Sequence, residues 1–338
     1  MTSQSQRPVS ALPVAGQLAE AGAMMASQIG RIMSEPGGPF RQDSPAGFQR
    51  GIDFYPARRL IQVAAQGAHL YRQAHGVFPQ LTNPAKITEK IFWSKIFRPM
   101  KIPEAGNKLK TAELLSDDAR AMITVPNIVW RSGTAKLPAT ETIEPGTYYL
   151  KTNHGSGMFR RIEWPVSDLD RHHLEQEFAI NLKTNFGYWH GEWWYVGFKR
   201  EVFLERSISS DPFPIAWGCY TFDERVGPIA VYRKVAGGDE CTYVTADFNP
   251  LDWQDPSSPR IASDLPSGPL RKKIVEAASA IGRGFSFVRV DLILGDEGKL
   301  YLSELTFAPN NALTAWPTEL DLEFGARWKL DPMMPQHW

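Results

Sequence analysis

The stretch FSFVRVDLIL at 285–294 runs into Gly295-Asp296-Glu297-Gly298 and returns as KLYLSELTF at 299–307. Two apolar, strand-forming runs around a glycine-bounded acidic turn spell an antiparallel hairpin. With Asp296 and Glu297 as a two-residue loop, Leu294 faces Lys299 and Arg289 faces Glu304. Side chains alternate between faces along a strand. One face then carries Phe287, Arg289, Asp291, Leu302, Glu304 and Thr306. The other carries Val288, Val290, Leu292, Tyr301, Ser303 and Leu305. Asp291 lies diagonal to Glu304, near enough to share a hard divalent cation such as Mg²⁺, which takes oxygen ligands and often one or two carboxylates plus substrate phosphates. An Arg289–Glu304 ion pair on a solvated face and a retaining glycosidase pair are the competing readings. A simple ion pair needs no second carboxylate.

Upstream, the strand-like 147–152 leads into Lys151-Thr152-Asn153-His154-Gly155-Ser156-Gly157. Gly155 and Gly157 let backbone N–H groups turn toward an anion, Ser156 adds a hydroxyl, and Lys151 at the strand end can reach a phosphate. An ordinary hairpin turn would use the same glycines. The stretch is neither a Walker motif nor a dinucleotide fingerprint, because GK[ST] and G-x-G-x-x-G are both absent. Glu205 ends a second strand-like run at 202–206 and precedes a serine-rich loop. A carboxylate there can accept hydrogen bonds from a ribose or orient an adenine-binding backbone; alone, it is a surface glutamate. His172 and His173 sit with Glu175 and Glu177 on a polar helical stretch, where a surface helix and a metal site are both conceivable.

Composition narrows the function classes. The 338 residues balance 37 Lys and Arg against 37 Asp and Glu, which argues against a generally basic nucleic-acid binder. Apolar residues at 43% and charged residues at 22% fit a globular chain. There is no run of about 18 apolar residues, so no membrane-spanning helix is expected. Cys219 and Cys241 match no zinc spacing and no disulfide framework, which fits a reducing cytoplasm and a cytoplasmic location. The 11 Trp, 18 Phe and 10 Tyr suit ring-lined clefts as well as cores.

The remainder divides by pattern. Residues 1–50 hold no Trp or Tyr and read as a flexible or weakly packed arm. Leu18, Met25, Ile29 and Ile32 nevertheless fall on one helical stripe. The stripe lacks the basic polar face of a membrane-surface helix, and residues 1–10 lack the pattern of a signal peptide. Residues 51–146 read as a helical region, with helices at 58–76 and 84–97. A small lobe over 147–208 carries the glycine loop and a helix at 168–186. A large lobe over 209–330 carries a strand at 228–235, a helix at 270–281 and the hairpin, and 331–338 is a tail.

The order Lys151, Gly155-Ser156-Gly157, Glu205, Arg289-Val290-Asp291, Glu304 resembles the ATP-grasp superfamily. The strings ITEKIFW (87–93), LKTNHGSG (150–157), GEW (191–193), FLE (203–205), FSFVRVDL (285–292) and SELTFAP (303–309) are similar to its teichuronopeptide-biosynthesis, or TupA-like, family. The resemblance covers about residues 80–330. It implies an α+β fold of two lobes clasping ATP, beside the helical amino-terminal region. It implies Lys151, Lys108 and the loop of His154, Gly155, Ser156 and Gly157 on the nucleotide, and Glu205 at the adenosine-binding linker. It implies Asp291, Glu304 and Thr306 as Mg²⁺ ligands, and Arg289 near the transferring phosphoryl group. The implied activity is ATP-dependent ligation of a carboxylate to an amine, on small-molecule or glycan-linked substrates of surface-polysaccharide assembly. Thr306 stands where many superfamily members carry Asn, as the TupA-like group also shows; two places depart from the family pattern, Pro309-Asn310-Asn311 where Pro-Gly is usual and Ala216-Trp217-Gly218 where Asp-Tyr-Lys is expected. A nucleotide-binding homologue without turnover is one alternative. A glycosyltransferase using the YWHGEWWY segment (188–195) to stack sugars is another, although no Asp-x-Asp motif supports it.

Overall fold

Helix α4 (Ile87–Phe97) is buried on every side. Ile87, Ile91, Phe92, Trp93, Ile96 and Phe97 are all at most 6% exposed, and so are Thr88, Ser94 and Lys95. A helix apolar all round belongs in the middle of a core, and the other elements arrange themselves about it. The computed structural model describes residues 15–330 except 37, 39, 41, 236–237, 257 and 259–264. Before α4 come α1 (Ala15–Ser34), a two-residue strand β1 (Phe48–Gln49), α2 (Gly51–Phe54) and α3 (Ala57–His75). After it come β2 (Met100–Lys101), which pairs with β1, and α5 (Asp117–Met122).

Two antiparallel sheets follow. The four-stranded sheet has the order β3-β6-β4-β5, from β3 (Ile128–Ser132), β4 (Gly146–Thr152), β5 (Phe159–Trp164) and β6 (Val202–Arg206), with α6 (Asp168–Lys183) between β5 and β6. The five-stranded sheet has the order β11-β10-β7-β8-β9. It is built from β7 (Ala216–Phe222), β8 (Arg225–Val235), β9 (Gly238–Val244), β10 (Val288–Leu294) and β11 (Leu300–Thr306). Helix α7 (Gly268–Gly282) precedes the last hairpin and α8 (Thr318–Arg327) follows it.

The described residues form two cores. Tyr148, Leu150, Phe178, Val202 and Leu204 form the core of the small lobe, joined by Ala135, Leu137 and Ile143. The main core runs without a break from the amino-terminal helices through the five-stranded sheet to α7 and α8. Two expectations are corrected here. Sheet pairing of β3 with β6 starts the small lobe before residue 147. The helical region, read from sequence as its own unit, shares one core with the large lobe. Buried polar bonds seal that union: Asp321 of α8 accepts from the Thr88 backbone N (3.0 Å) and from Thr88 Oγ1 (2.8 Å), and Lys90 Nζ donates to the carbonyls of Gly325 and Trp328.

Helix α1 is likewise part of the body over its described length. Ala21 and Met25 are fully buried and Ile29 is 5% exposed. Gln28 Nε2 donates to the Pro79 carbonyl, and Gln28 Oε1 accepts from the Leu81 backbone N. The predicted stripe is real, and it docks where a weak arm was expected. Residues 1–14 and 331–338, the outer part of the predicted arm and the predicted tail, lie outside the described residues. A Met25→Ala chain should lose about 2–5 kcal/mol of unfolding free energy, the usual range for emptying a fully buried site. Denaturant titration measures this, and a loss near zero would restore the loose-arm picture.

Candidate active site

The hairpin register differs from the two-residue-loop expectation at two places. The Gly298 backbone N donates to the Gly295 carbonyl (2.9 Å), with Gly298 left-handed at φ 71°. Asp296, Glu297 and Gly298 therefore form a three-residue loop, and Leu294 pairs with Leu300. A second irregularity between Asp291 and Leu292 sets Asp291 opposite Glu304 and Arg289 opposite Thr306. Each one-residue shift alone flips a strand face, and two restore it. Arg289, Asp291, Glu304 and Thr306 thus share a face as expected. Leu302 moves to the Leu292 side, and the expected Arg289–Glu304 opposition is replaced.

Arg289 instead clamps Asp291, through Nε to Oδ1 (2.8 Å) and Nη2 to Oδ2 (3.0 Å). Thr306 Oγ1 donates to Asp291 Oδ2 (2.8 Å). Asp291 is 1% exposed. Burial raises its pKa above the ordinary carboxylate value, the neighbouring Glu304 adds to this, and Arg289 opposes it. The Arg289 guanidinium lies 5.8 Å from the Tyr232 ring. Gly218 of β7 faces Asp291 directly. A Cβ there would lie 2.9 Å from Asp291 Oδ1 and 3.2 Å from Arg289 Nε, so the departure to glycine makes room for the clamp.

The glycine loop meets this hairpin through Lys108. Its Nζ donates to the Gly155 carbonyl (2.5 Å) and lies 3.1 Å from Glu304 Oε1. Buried Asn153, unremarked within its string at the sequence level, fixes that approach. Its carbonyl accepts from the Lys108 backbone N (2.8 Å), its Nδ2 donates to Asn107 Oδ1 and its Oδ1 accepts from the Glu201 backbone N. Gly155 and Gly157 both have φ 74°, and a Cβ on Gly155 would strike the Phe186 ring. Ser156 is exposed at the loop tip.

Lys151 and Glu205 share a face of the small sheet and form an ion pair at 2.5 Å. His154 is placed differently from its predicted role. Its ring is fully buried and Nε2 is 3.2 Å from the Thr184 carbonyl, so it anchors the loop to the end of α6. Burial, with Arg200 and Lys108 nearby, lowers its pKa to about 4. The Trp-rich segment is mostly core as well: Trp193, Trp194 and Tyr195 are at most 5% exposed, while Trp189 remains exposed beside Arg59. His172 and His173 lie exposed on α6, where His172 Nε2 meets Gln176.

Among the described residues, no group of three or more His, Cys, Asp or Glu is gathered as a metal cage. Asp291, Glu304 and Thr306 offer two carboxylates and a hydroxyl, a hard oxygen set with positions left for phosphate and water. That donor chemistry fits Mg²⁺, which keeps waters and substrate oxygens in its shell. A buried carboxyl raised by its surroundings and facing a second carboxylate would also gain from a divalent charge.

Two measurements test the site. Gly218→Ala should cost about 1–3 kcal/mol, the usual range for overpacking, and should shrink the magnesium-dependent part of any ATP-induced rise in melting temperature. A Gly218→Ala chain identical to wild type in both would break the link between the glycine and the clamp. His154 stays neutral in the fold, whereas the unfolded chain takes up a proton near pH 6.5. Its contribution is whole above that pH, declines as pH falls, and is gone near pH 4, up to about 3 kcal/mol. Denaturation at pH 7 and pH 4.5 should therefore show a steeper loss in wild type than in His154→Gln.

The TupA-like ATP-grasp family model matches residues 122–329. Solved structures with similar folds include the ATP-grasp ligase PsnB complexed with minimal precursor (15% identity, 60% of this chain, 52% of that one, TM-score 0.34). They also include D-alanine-D-alanine ligase from Helicobacter pylori (13%, 67% and 61%, TM-score 0.39) and L-amino acid ligase from Bacillus licheniformis (15%, 63% and 45%, TM-score 0.35). The chain spans about half the length of the PsnB chain. No curated protein matches the sequence. No helix among the described residues is long and apolar enough to cross a membrane. With the match covering more than half of its length, the chain belongs to the TupA-like ATP-grasp family.

Proposed function

We propose that the chain is an ADP-forming ligase that joins a carboxylate to an amine through an acyl phosphate, working in the cytoplasm on surface-polysaccharide or teichuronopeptide-type substrates. One observation carries the reading. Lys108 bridges the glycine loop of one lobe to Glu304 of the other, and Glu304 stands opposite the Arg289–Asp291 clamp. Phosphate binders and metal-type carboxylates thereby meet at one place, which the competing turn and surface-ion-pair readings do not require.

Lys151, Lys108 and the backbone of the Gly155–Gly157 loop would hold the ATP phosphates, with the Ser156 hydroxyl at the loop tip. Glu205 would receive the adenosine side, releasing Lys151 from its present pair. Asp291, Glu304 and Thr306 would hold Mg²⁺, which when bound offsets charge on the transferring phosphoryl group. Arg289, held in one orientation by Asp291, adds a fixed positive charge beside that group. The pathway assignment rests on the family alone.

Lys151→Ala should weaken ATP binding in the ground state, since the lysine faces phosphates already present. Arg289→Ala should keep much of the nucleotide affinity and lose on the order of 10²-fold or more in ADP release, because charge stabilised mainly in the transition state is read in turnover. Its folded fraction must be matched first, since removing one partner of a buried pair costs about 3–5 kcal/mol. Nucleotide titration and ADP-release kinetics with ATP, Mg²⁺ and an acid–amine library decide. Equal turnover in wild type and Arg289→Ala would defeat the ligase mechanism, and UDP release in place of ADP would favour the glycosyltransferase.

A further inference from the structure

Two charged groups near the hairpin have no part in the nucleotide chemistry. Lys95 is the buried cation of helix α4, 3% exposed, with Nζ 2.6 Å from Asn311 Oδ1 and 4.6 Å from the Phe92 ring centroid. Its stem lies along Gly191, where a Cβ would come within 3.5 Å of Lys95 Cβ and 3.6 Å of Cδ. The next residue, Glu192, is braced by its backbone N on the Gly187 carbonyl (2.9 Å), between left-handed Gly187 and Gly191. Trp193 Nε1 donates to the Lys95 carbonyl (3.0 Å), tying the two segments together. The Glu192 carboxylate has no hydrogen-bond or ion-pair partner among the described residues, yet the residue is only partly buried. Asn311 belongs to the loop that directly continues β11, the strand of Glu304.

We propose that Glu192 is the subsite for the acceptor amine of the ligation, with Lys95 and Asn311 as the residues that position it. The inference rests on the ligase reading and adds to it the class of acceptor, a primary amine that arrives as an ammonium group. A partly exposed carboxylate without a hydrogen-bond or ion-pair partner among the described residues, on a segment tied to Lys95 and through it to the loop after β11, suits that charge. The step balances within the site. Glu192 first takes one proton from the ammonium group and frees the nitrogen lone pair. The nitrogen then forms the C–N bond to the acyl carbon, the C–O bond to phosphate breaks with its electron pair leaving on phosphate, and the nitrogen's second proton leaves with that phosphate.

The electrostatics agree. Burial raises the Glu192 carboxyl above its ordinary value, Lys95 opposes this and Glu304 adds to it. Burial lowers Lys95 in turn, with Glu192 opposing. Burial raises Tyr55, at the end of α2, and Tyr195, with Glu192 adding to both, and burial lowers His190, with Lys95 adding to it. A carboxyl raised in this way is a better proton acceptor than an exposed glutamate.

The test uses the full chain with ATP, Mg²⁺ and either L-glutamate or D-glucuronate as carboxylate donor. ADP release is compared with two nucleophiles. Hydroxylamine is already unprotonated at neutral pH and attacks without first losing a proton, whereas the glycinamide ammonium must surrender one before it can attack. In Glu192→Gln the ratio of hydroxylamine-dependent to glycinamide-dependent release should rise on the order of 10²-fold. An unchanged ratio overturns the proposal. Lys95→Met should move the acid limb of the glycinamide pH profile to higher pH, because losing the cation raises the Glu192 pKa, while Lys95→Arg restores it; a limb that stays put removes Lys95 from the subsite. A separate arm needs no turnover: carbodiimide coupling of glycinamide, read by peptide mass spectrometry, should tag Glu192 along with exposed Glu297 and spare buried Asp291. An untagged Glu192 overturns the subsite even in an active ligase. If wild type releases no ADP with either nucleophile, the ligase reading fails for these donors, and the coupling result alone upholds or overturns the amine subsite.

Discussion

Val288, Val290 and Leu292 of β10 are fully buried, and Leu305 of β11 is 3% exposed. A pleated strand that sends these side chains into the core sends Arg289, Asp291, Glu304 and Thr306 to the opposite face. The burial that stabilises the large lobe is thus the same constraint that gathers the candidate chemistry. A substitution that slipped this register by one residue would lose both together. The two irregularities in the hairpin keep the parity, so the polar face survives a loop one residue longer than the shortest turn and a bulge at the strand centre.

That polar face carries charge in a place where charge is expensive. Asp291 is nearly inaccessible, and the structure answers with a bidentate arginine, a hydroxyl and a glycine that clears the space. The other cations are paired in the same manner: Lys108 with Glu304, and Lys151 with Glu205. Every one of these pairs joins residues expected to act on the nucleotide or the cation. Bound nucleotide and metal would therefore exchange partners within the cluster, cation to phosphate and carboxylate to metal, instead of ordering groups from solvent. Preorganisation of this kind lowers the reorganisation needed when charge shifts during reaction.

Most of this architecture was legible because it rests on short periods. The hairpin, the strand before the glycine loop and the helices over α3, α4, α6 and α7 follow from alternation or helical spacing in the chain. What was hidden depends on tertiary contacts. The loop after Leu294 could close with two or three residues, and no local signal chooses between them. Helix α1 looked weak because its apolar residues are few, yet Ala21 and Met25 meet a matching face on α3. The family resemblance placed His154 on the nucleotide, while its residue type alone favoured a structural part; only the fold reveals that its ring reaches the Thr184 carbonyl. Lys95 did leave a trace: a lysine within the IFWSKIF run, whose other residues are apolar apart from Ser94, is a residue that must find a buried partner.

The departures from the family pattern acquire reasons of their own. Gly218 stands where a lysine is expected, and any side chain there would collide with the clamp of Asp291 and Arg289. Asn310 stands where glycine is usual, and it keeps the left-handed turn with φ 46°, followed by Asn311 at 54° and Ala312 at 68°. Asparagine tolerates this region better than most side chains, whereas alanine is strained there. Such a turn persists only when its surroundings hold it. His75 Nε2 meets the Ala312 carbonyl at 2.9 Å, and Lys95 holds the Asn311 amide. Helices α3 and α4 thus fix the backbone that leaves β11, which is why the amino-terminal helices share one core with the hairpin instead of standing beside it as a separate unit.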